Sequence, residues 1–393
     1  MNEMSRSARL NELAWLFLKL GTIGFGGPAA HIALMEDEVV RRRGWLSHEK
    51  FIDLVGATNL IPGPNSTEMA IHIGHARAGF PGLLVAGACF ILPATLIVTA
   101  CAGAYVRFGT LPQAEGILYG VKPVIIAIVL QALWGLGHTA VKTPLLAGVG
   151  LAAAVFSFLG VNELLLLFAA GLLIAAIRRV AAKPTGGAST GLAAAFAPPV
   201  STNAAVSASV AAGAATAATL PFGLWPMFLF FLKVGSVLYG SGYVLLAFLR
   251  AEFINHLHWL TEKQLIDAEA VGQFTPGPVF TTATFIGYLV AGIPGAVVAT
   301  LGIFVPGFAF VALSGPLIPK PRGSPLAAAI LDGIVIGSLA LMVVVAWQLG
   351  RAAIVDWRTF MILIASVLLS RFRVNSAWVI GGAALVGLIV KVH

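Results

Sequence analysis

Charge is what this chain has least of. Asp, Glu, Lys and Arg together make up 10% of its 393 residues, where a soluble chain of this size would carry about 25%. Hydrophobic residues reach 59% and the mean hydropathy is +0.94, so a soluble globular domain is excluded. Apolar runs long enough to cross ~30 Å of hydrocarbon recur along the chain and predict an all-α polytopic membrane protein. Cysteine is nearly missing: if Cys89 and Cys101 share one helix, a rise of ~1.5 Å per residue holds them ~18 Å apart, which excludes a disulfide between them. No Walker A motif is present, so ATP does not drive the protein directly. No short apolar segment with a cleavage site follows Arg6, Arg9 and Glu12, and a cleaved signal peptide is not expected. The net charge of +8 reads as Lys and Arg in short loops between spans, not as a nucleic-acid surface.

The chain also says nearly the same thing twice. Lys19-Leu20-Gly21 recurs as Lys233-Val234-Gly235, Trp45-Leu46-Ser47 as Trp259-Leu260-Thr261, and Pro62-Gly63-Pro64 as Pro276-Gly277-Pro278, always 214 positions on. Gly26 with Gly240, Glu38 with Glu252 and Asp53 with Asp267 keep that register. After a slip of one residue, Pro81-Gly82 matches Pro294-Gly295 and Pro93 matches Pro306. Three parts follow: an N-terminal repeat over 1–180, an Ala/Gly/Ser/Pro-rich linker over 181–220, and a C-terminal repeat over 221–393.

Within each repeat the pattern predicts one broken run, a charged amphipathic piece, a hairpin hinged at the Pro-Gly-Pro tip, and four full spans. In the first repeat the broken run covers 13–35 and the hairpin arms, at 51–61 and 69–79, are too short to span alone, which makes them re-entrant. Placing Arg41-Arg42-Arg43 in the cytoplasm and counting the broken run as a crossing gives about five spans per repeat. An odd count turns the second repeat upside down, the inverted architecture of many secondary transporters, at the cost of an external N-terminus carrying Arg6 and Arg9.

Helix breaks mark the candidate site. Gly26-Gly27-Pro28 and Gly240-Ser241-Gly242 interrupt otherwise continuous runs, and unwound backbone in hydrocarbon is tolerated only where it lines a cavity or is buried in protein. Asn65-Ser66-Thr67 follows the first Pro-Gly-Pro and Thr281-Thr282 the second, so each tip should open a helix whose N-terminal N–H groups favour an anion. Lys19 and Lys233 lie inside apolar runs, where a charge is a functional candidate by default, although a long stem near the start of a run also allows snorkelling. The expected substrate-binding set is therefore Lys19, Gly26, Gly27, Asn65, Ser66, Thr67, Lys233, Gly240, Ser241, Thr281 and Thr282. Glu68 is the coupling candidate, because Thr282 occupies its place in the second repeat. His72 and His75 share a helix face, but without cysteine or a close acidic cluster a structural role outweighs a metal site, and no metal or cofactor is expected.

On the segments 19–28, 45–47 and 60–65, and 231–235, 239–242 and 273–278, the sequence resembles the long-chain, two-domain type of the chromate ion transporter family. The resemblance spans nearly the whole chain outside the linker. It implies a non-enzymatic secondary transporter in the cytoplasmic (inner) membrane, moving chromate, or sulfate as a similar tetrahedral dianion, by efflux that confers resistance. The bilayer is the implied partner, with no nucleic acid, and homodimerisation stays open. An anion channel would use similar donors.

Overall fold

The computed structural model describes residues 5–25, 27–58, 61–109, 111–181, 223–239, 244–314, 325–372 and 376–392. Among these residues every regular element is a helix. The expectations for 182–220, Gly26, Gly240, Ser241 and Gly242 fall outside them.

In the first repeat, α1 (Arg6–Ile23) ends at Gly24, and α2 (Gly27–Glu36) runs on into a π-helical turn at Asp37–Arg42. Then come α3 (His48–Thr58) and α4 (Asn65–Phe108), the two arms of the Pro-Gly-Pro hairpin. α5 (Pro112–Ala140), α6 (Pro144–Phe158) and α7 (Glu163–Ala181) complete it. The second repeat follows the same order. It has α8 (Leu224–Val237), the short α9 (Leu245–Leu249) with its π turn at Arg250–His256, and the hairpin arms α10 (Glu262–Phe274) and α11 (Thr282–Ser314). It closes with α12 (Pro325–Ala353), α13 (Trp357–Arg371) and α14 (Ser376–Val392).

The duplication extends to backbone angles. α4 is broken at Ala78 and Gly79, the latter at φ +66°, and α11 at Ala291 and Gly292, the latter at φ +62°. Each break ends a half-helix and starts a longer apolar stretch, at the division the sequence predicts near residue 79. Proline cannot donate to the preceding turn, and Pro81 and Pro294 stand just beyond the two breaks. The half-helix folds back along its own span because both carry glycine at the contact. A Cβ on Gly74 would run into the Gly82 carbonyl, and one on Gly287 into that of Gly295. Gly21 and Gly235 likewise let α1 and α8 press on the backbone at Phe90 and Ile303. Close approach through small residues is how helices associate where lipid removes the hydrophobic drive between them.

Outward-facing positions are apolar instead: Leu84, Leu92 and Leu96 on α4 and Val297, Leu301 and Val305 on α11 are all exposed. Four helical stretches, Asn65–Phe108, Pro112–Ala140, Val279–Ser314 and Leu326–Ala353, are long and apolar enough to cross a membrane. Exposed Trp225, Trp357 and Trp378 stand at helix starts, as in an interfacial aromatic belt.

Side-chain contacts fix which helix ends meet. Arg77, at the end of the first half-helix, pairs with Glu12 at 3.1 Å and stacks 4.8 Å over the Trp45 ring. The start of α1, the turn after Arg41–Arg43 and the mouth of the first hairpin therefore share one end of the bundle. This corrects the crossing assigned to residues 13–35. The chain turns back at the Gly24 break, and the start of α1 lies on the side of the arginine turn. Lys142 and Arg178 meet Asp332 at that same end, at 3.1 and 2.8 Å. At the other end Lys263 reaches Glu115 at 3.2 Å, and Tyr119 donates to Asp356 at 2.5 Å. The mouth of the second hairpin is there.

Candidate functional site

Both hairpin tips lie deep in the bundle, each against the broken helix of the other repeat. The Gly63 N–H donates to the carbonyl of Leu238 at 2.8 Å, where α8 stops. The Gly277 N–H donates to the carbonyl of Gly24 at 2.8 Å, where α1 stops. Residues 63 and 277 are repeat partners, and so are 24 and 238, so one contact is made twice around a pseudo-twofold axis. Both tip glycines have positive φ, +135° and +93°, a region closed to most side chains. Around this junction four helix breaks and two half-helix N-termini converge.

Thr67 and Glu68 lie on the first turns of α4 with their side chains buried, and the Thr67 hydroxyl has no partner among the described residues. Ser66 is also buried, and Asn65 opens the helix after Pro64. In the second repeat Thr281 and Thr282 are fully buried and donate to the carbonyls of Pro278 and Val279, both at about 3 Å (2.8 and 2.9 Å). The Thr281 hydroxyl is thus spent on its own turn in this state, while that of Thr282 is shared with the Glu269 carboxyl. Gly27 starts α2 at φ +78°, and the space where its Cβ would stand is open.

The two lysines are not alike. Lys19 is committed to Glu38 at 2.8 Å, a carboxylate 6% exposed that also takes Arg43 at 3.3 Å. Glu38 lies in the π turn, outside the spans; the Lys19 hydrogen bond holds its carboxyl below the ordinary value, with Arg43 adding to this against the effect of burial. Lys233 stands 5.5 Å over the Phe230 ring and lines, with Glu252, Phe253 and Trp259, a mostly apolar groove of about 410 Å³. Each ammonium is held by a partner outside the Pro-Gly-Pro tips, Glu38 for Lys19 and the Phe230 ring for Lys233, so the lysines are not brought together with the tip residues.

Glu68 is wholly buried, and neither carboxyl oxygen has a hydrogen-bond partner among the described residues. It faces the tip and the second repeat. A Cβ on Gly63 would collide with its Oε1, and one on Gly307 of α11 would lie 3.7 Å from it. Glu269 on α10 is one of the polar residues of the second hairpin that the sequence offers, but pattern reading gives it no role in the site. It is 1% exposed, accepts from Gln273 at 2.8 Å and takes the Thr282 hydroxyl at 3.3 Å. Thr282 is the repeat partner of Glu68, while Glu269 is the partner of Val55. Each hairpin thus buries one carboxyl group beside the first turn of its second arm, contributed by that arm in the first repeat and by the opposite arm in the second. The sequence signal was an acidic residue inside a re-entrant arm, visible only once the arms are folded together.

A second buried cluster lies toward the opposite end. Asp267, 0% exposed, accepts from Tyr105 at 2.8 Å and pairs with Lys122 at 2.9 Å, tying α10 to α4 and α5. No group of three His, Cys, Asp or Glu side chains fit to hold a metal occurs among the described residues.

The family described as "Chromate transporter" matches residues 11–175 and 225–388, one match on each repeat. The chain belongs to the chromate transporter family. It is 33% identical over 393 residues to the "Chromate transport protein" of Cupriavidus metallidurans, covering 97% of this chain and 93% of that protein. It is 31% identical over 381 residues to the "Probable chromate transport protein" of Synechococcus elongatus, covering 95% and 91%. A shorter relative, "Uncharacterized transporter YwrA" of Bacillus subtilis, is 33% identical over 126 residues, 32% of this chain and 71% of that protein. No solved structure matches the chain.

Proposed function

We propose that this protein is a secondary carrier that moves chromate, and sulfate as a chemically similar tetrahedral dianion, out of the cytoplasm across the cytoplasmic membrane, and so confers chromate resistance. The observation that carries this reading is the reciprocal junction of the two tips with the two broken helices. It gathers backbone termini from both repeats at mid-depth, where secondary carriers of this architecture hold their substrates. The α4 half-helix begins at the first tip and α11 follows the second, so their N-terminal dipoles bias the space between them toward an anion.

The two repeats are taken to be inverted relative to each other. In support, the first hairpin opens at the Arg77–Trp45 end and the second at the Lys263–Glu115 end. With Arg41–Arg43 inside, the positive-inside rule is met by Arg9, Arg178 and Lys142 at the same end. On this reading Gly26, Gly27, Asn65, Ser66 and Thr67 face Gly240, Ser241, Thr281 and Thr282 across the substrate, Lys19 and Lys233 supply charge, and Glu68 is the coupling group.

A dianion leaving a negative-inside cell gains ~2.3 kcal/mol per charge per 100 mV, so efflux against a concentration gradient needs no ATP. The test is flux of labelled chromate and sulfate in inverted vesicles under an imposed potential and then an imposed pH gradient. Saturable, potential-driven chromate accumulation is expected. Non-saturating flux would favour an anion channel, and no flux above empty vesicles would end the carrier reading.

A further inference from the structure

The two buried carboxyl groups are equivalent in place but not in sequence position, and that points beyond a coupling role for Glu68 alone. We propose that Glu68 and Glu269 form a matched pair of acids flanking the oxyanion path, and that their state of protonation sets the affinity for the dianion. This rests on the carrier reading above.

Glu68 is 0% exposed with both oxygens unpartnered, and Glu269 is 1% exposed with only neutral partners, Gln273 and Thr282. An unpaired charge is far costlier to bury than a neutral acid. A dianion arriving nearby adds like-charge repulsion to that cost, so binding the oxyanion and protonating the acids favour each other. Two acids match two negative charges.

No Lys, Arg or His side chain pairs with either acid among the described residues. On α4, Arg77 is taken by Glu12, and His72, one turn beyond Glu68, makes no hydrogen bond to it. Against α4, Lys19 on α1 serves Glu38, the His31 ring on α2 meets the Gly24 carbonyl at 2.9 Å, and α3 carries Lys50 and Asp53 near its mouth. Tyr239, past α8, is within electrostatic reach of Glu68 as a neutral phenol. Against α10, Lys122 and Tyr105 serve Asp267, Arg250 pairs with Glu262, and Lys263 with Glu115. α11 carries no charged residue, and on α12 Asp332 pairs with Lys142 and Arg178 while Arg351 is exposed.

The arrangement solves a carrier's release problem. Helix dipoles draw the anion in, and acids that lose their protons push it out, so the site does not trap its cargo.

The test measures chromate KM in vesicles from pH 6 to 8 for wild type, Glu68→Gln, Glu269→Gln and the double variant. Chromate itself takes up a proton in this range, so the readout is the difference between wild type and variants. Each Gln variant should lower KM at pH 8 by about tenfold, a like-charge effect of about one pH unit's worth of binding. The double variant should flatten the residual pH dependence, and Glu269→Asp should keep it. Gln variants that match the wild-type pH profile, or raise KM equally at all pH values, overturn the proposal. Wild-type vesicles that carry no chromate at all would instead overturn the carrier reading. Should a Gln variant fail to reach the membrane, Glu68→Asp and Glu269→Asp, with the acid kept but withdrawn, must shift the midpoint of the profile or the proposal fails.

Discussion

Gly63 donates its N–H to the carbonyl of Leu238, 2.8 Å away in the other repeat, and a residue with a side chain is disfavoured at that tip by its φ of +135°. The partner contact, Gly277 to Gly24, has the same length. If this junction positions the substrate path, Gly277→Ala should hurt transport out of proportion to its size. The added Cβ would lie 2.6 Å from that of Ala94, at φ +93°. A strain of ~1–3 kcal/mol is expected at such a position. Chromate flux should fall at least about tenfold with protein still in the membrane, read by flux against immunoblot. Wild-type flux would show that the tip tolerates displacement.

The two halves should face opposite ways. In a background with Cys89→Ser and Cys101→Ser, single cysteines at Ser47 and Thr261 should label with an impermeant maleimide from opposite sides of the membrane. Labelling from one side would end the inverted arrangement.

Lys19 offers a test by sign. If its ammonium serves the anion, Lys19→Gln should weaken chromate binding by about ten- to a hundredfold, the worth of a charge-assisted hydrogen bond at ~1.5–3 kcal/mol. Glu38→Gln, which releases Lys19 from its 2.8 Å partner, should then strengthen binding. If Lys19 only holds Glu38, both variants shift stability and neither shifts affinity. Lys233→Gln, at a lysine over the Phe230 ring, should follow the first pattern.

The same pair makes a pH prediction. Glu38 is held below the ordinary glutamate value of 4.5 by Lys19 and Arg43. The stabilisation from a depressed carboxyl is complete above the unfolded-state value and disappears as pH falls through the folded one. The apparent melting temperature of the detergent-solubilised protein should therefore drop on acidification below about 4.5, and by less in Glu38→Gln. Equal acid sensitivity in both proteins would assign the loss to other groups.

Asp267 should be costly to orphan. Lys122→Met leaves a wholly buried carboxylate with only the Tyr105 hydroxyl among the described residues, and breaking a buried pair costs ~3–5 kcal/mol. A marked fall in melting temperature is expected, largely restored in Lys122→Met with Asp267→Leu. A single variant as stable as the wild type would mean that Asp267 finds other compensation.

Much of the fold is legible in the sequence because hydrocarbon punishes irregular backbone, so the glycines and prolines shared by the two repeats mark breaks and close helix contacts. The Pro-Gly-Pro tips, the half-helices ending near residues 79 and 292, and the register between repeats all follow from that pressure. The path of residues 13–35 does not, because Gly24 can interrupt a crossing or reverse it, and only the Glu12–Arg77–Trp45 cluster decides. Lys19 and Glu38 keep register with Lys233 and Glu252, a shared spacing that marks them as a pair, yet the apolar run draws attention to the lysine alone. Glu269 is hidden for a different reason. Aligning repeats compares like positions, whereas the folded hairpin brings Glu269 to Thr282, an unlike one. Tyr105, Lys122 and Asp267 come from three separate helices and leave no spacing to read.

The tip junction is written wholly in main-chain atoms, with Leu as acceptor in one copy and Gly in the other. An amide does not register which side chain its acceptor carries. Residue 238 is therefore free to vary as far as the bond is concerned, whereas at residue 24 a Cβ would press on the Leu20 carbonyl and the His31 ring. Selection acts on fit there and at residues 63 and 277, which sit in a bend that almost only glycine can make. The oldest part of the molecule can thus be the part whose chemistry its side chains record least.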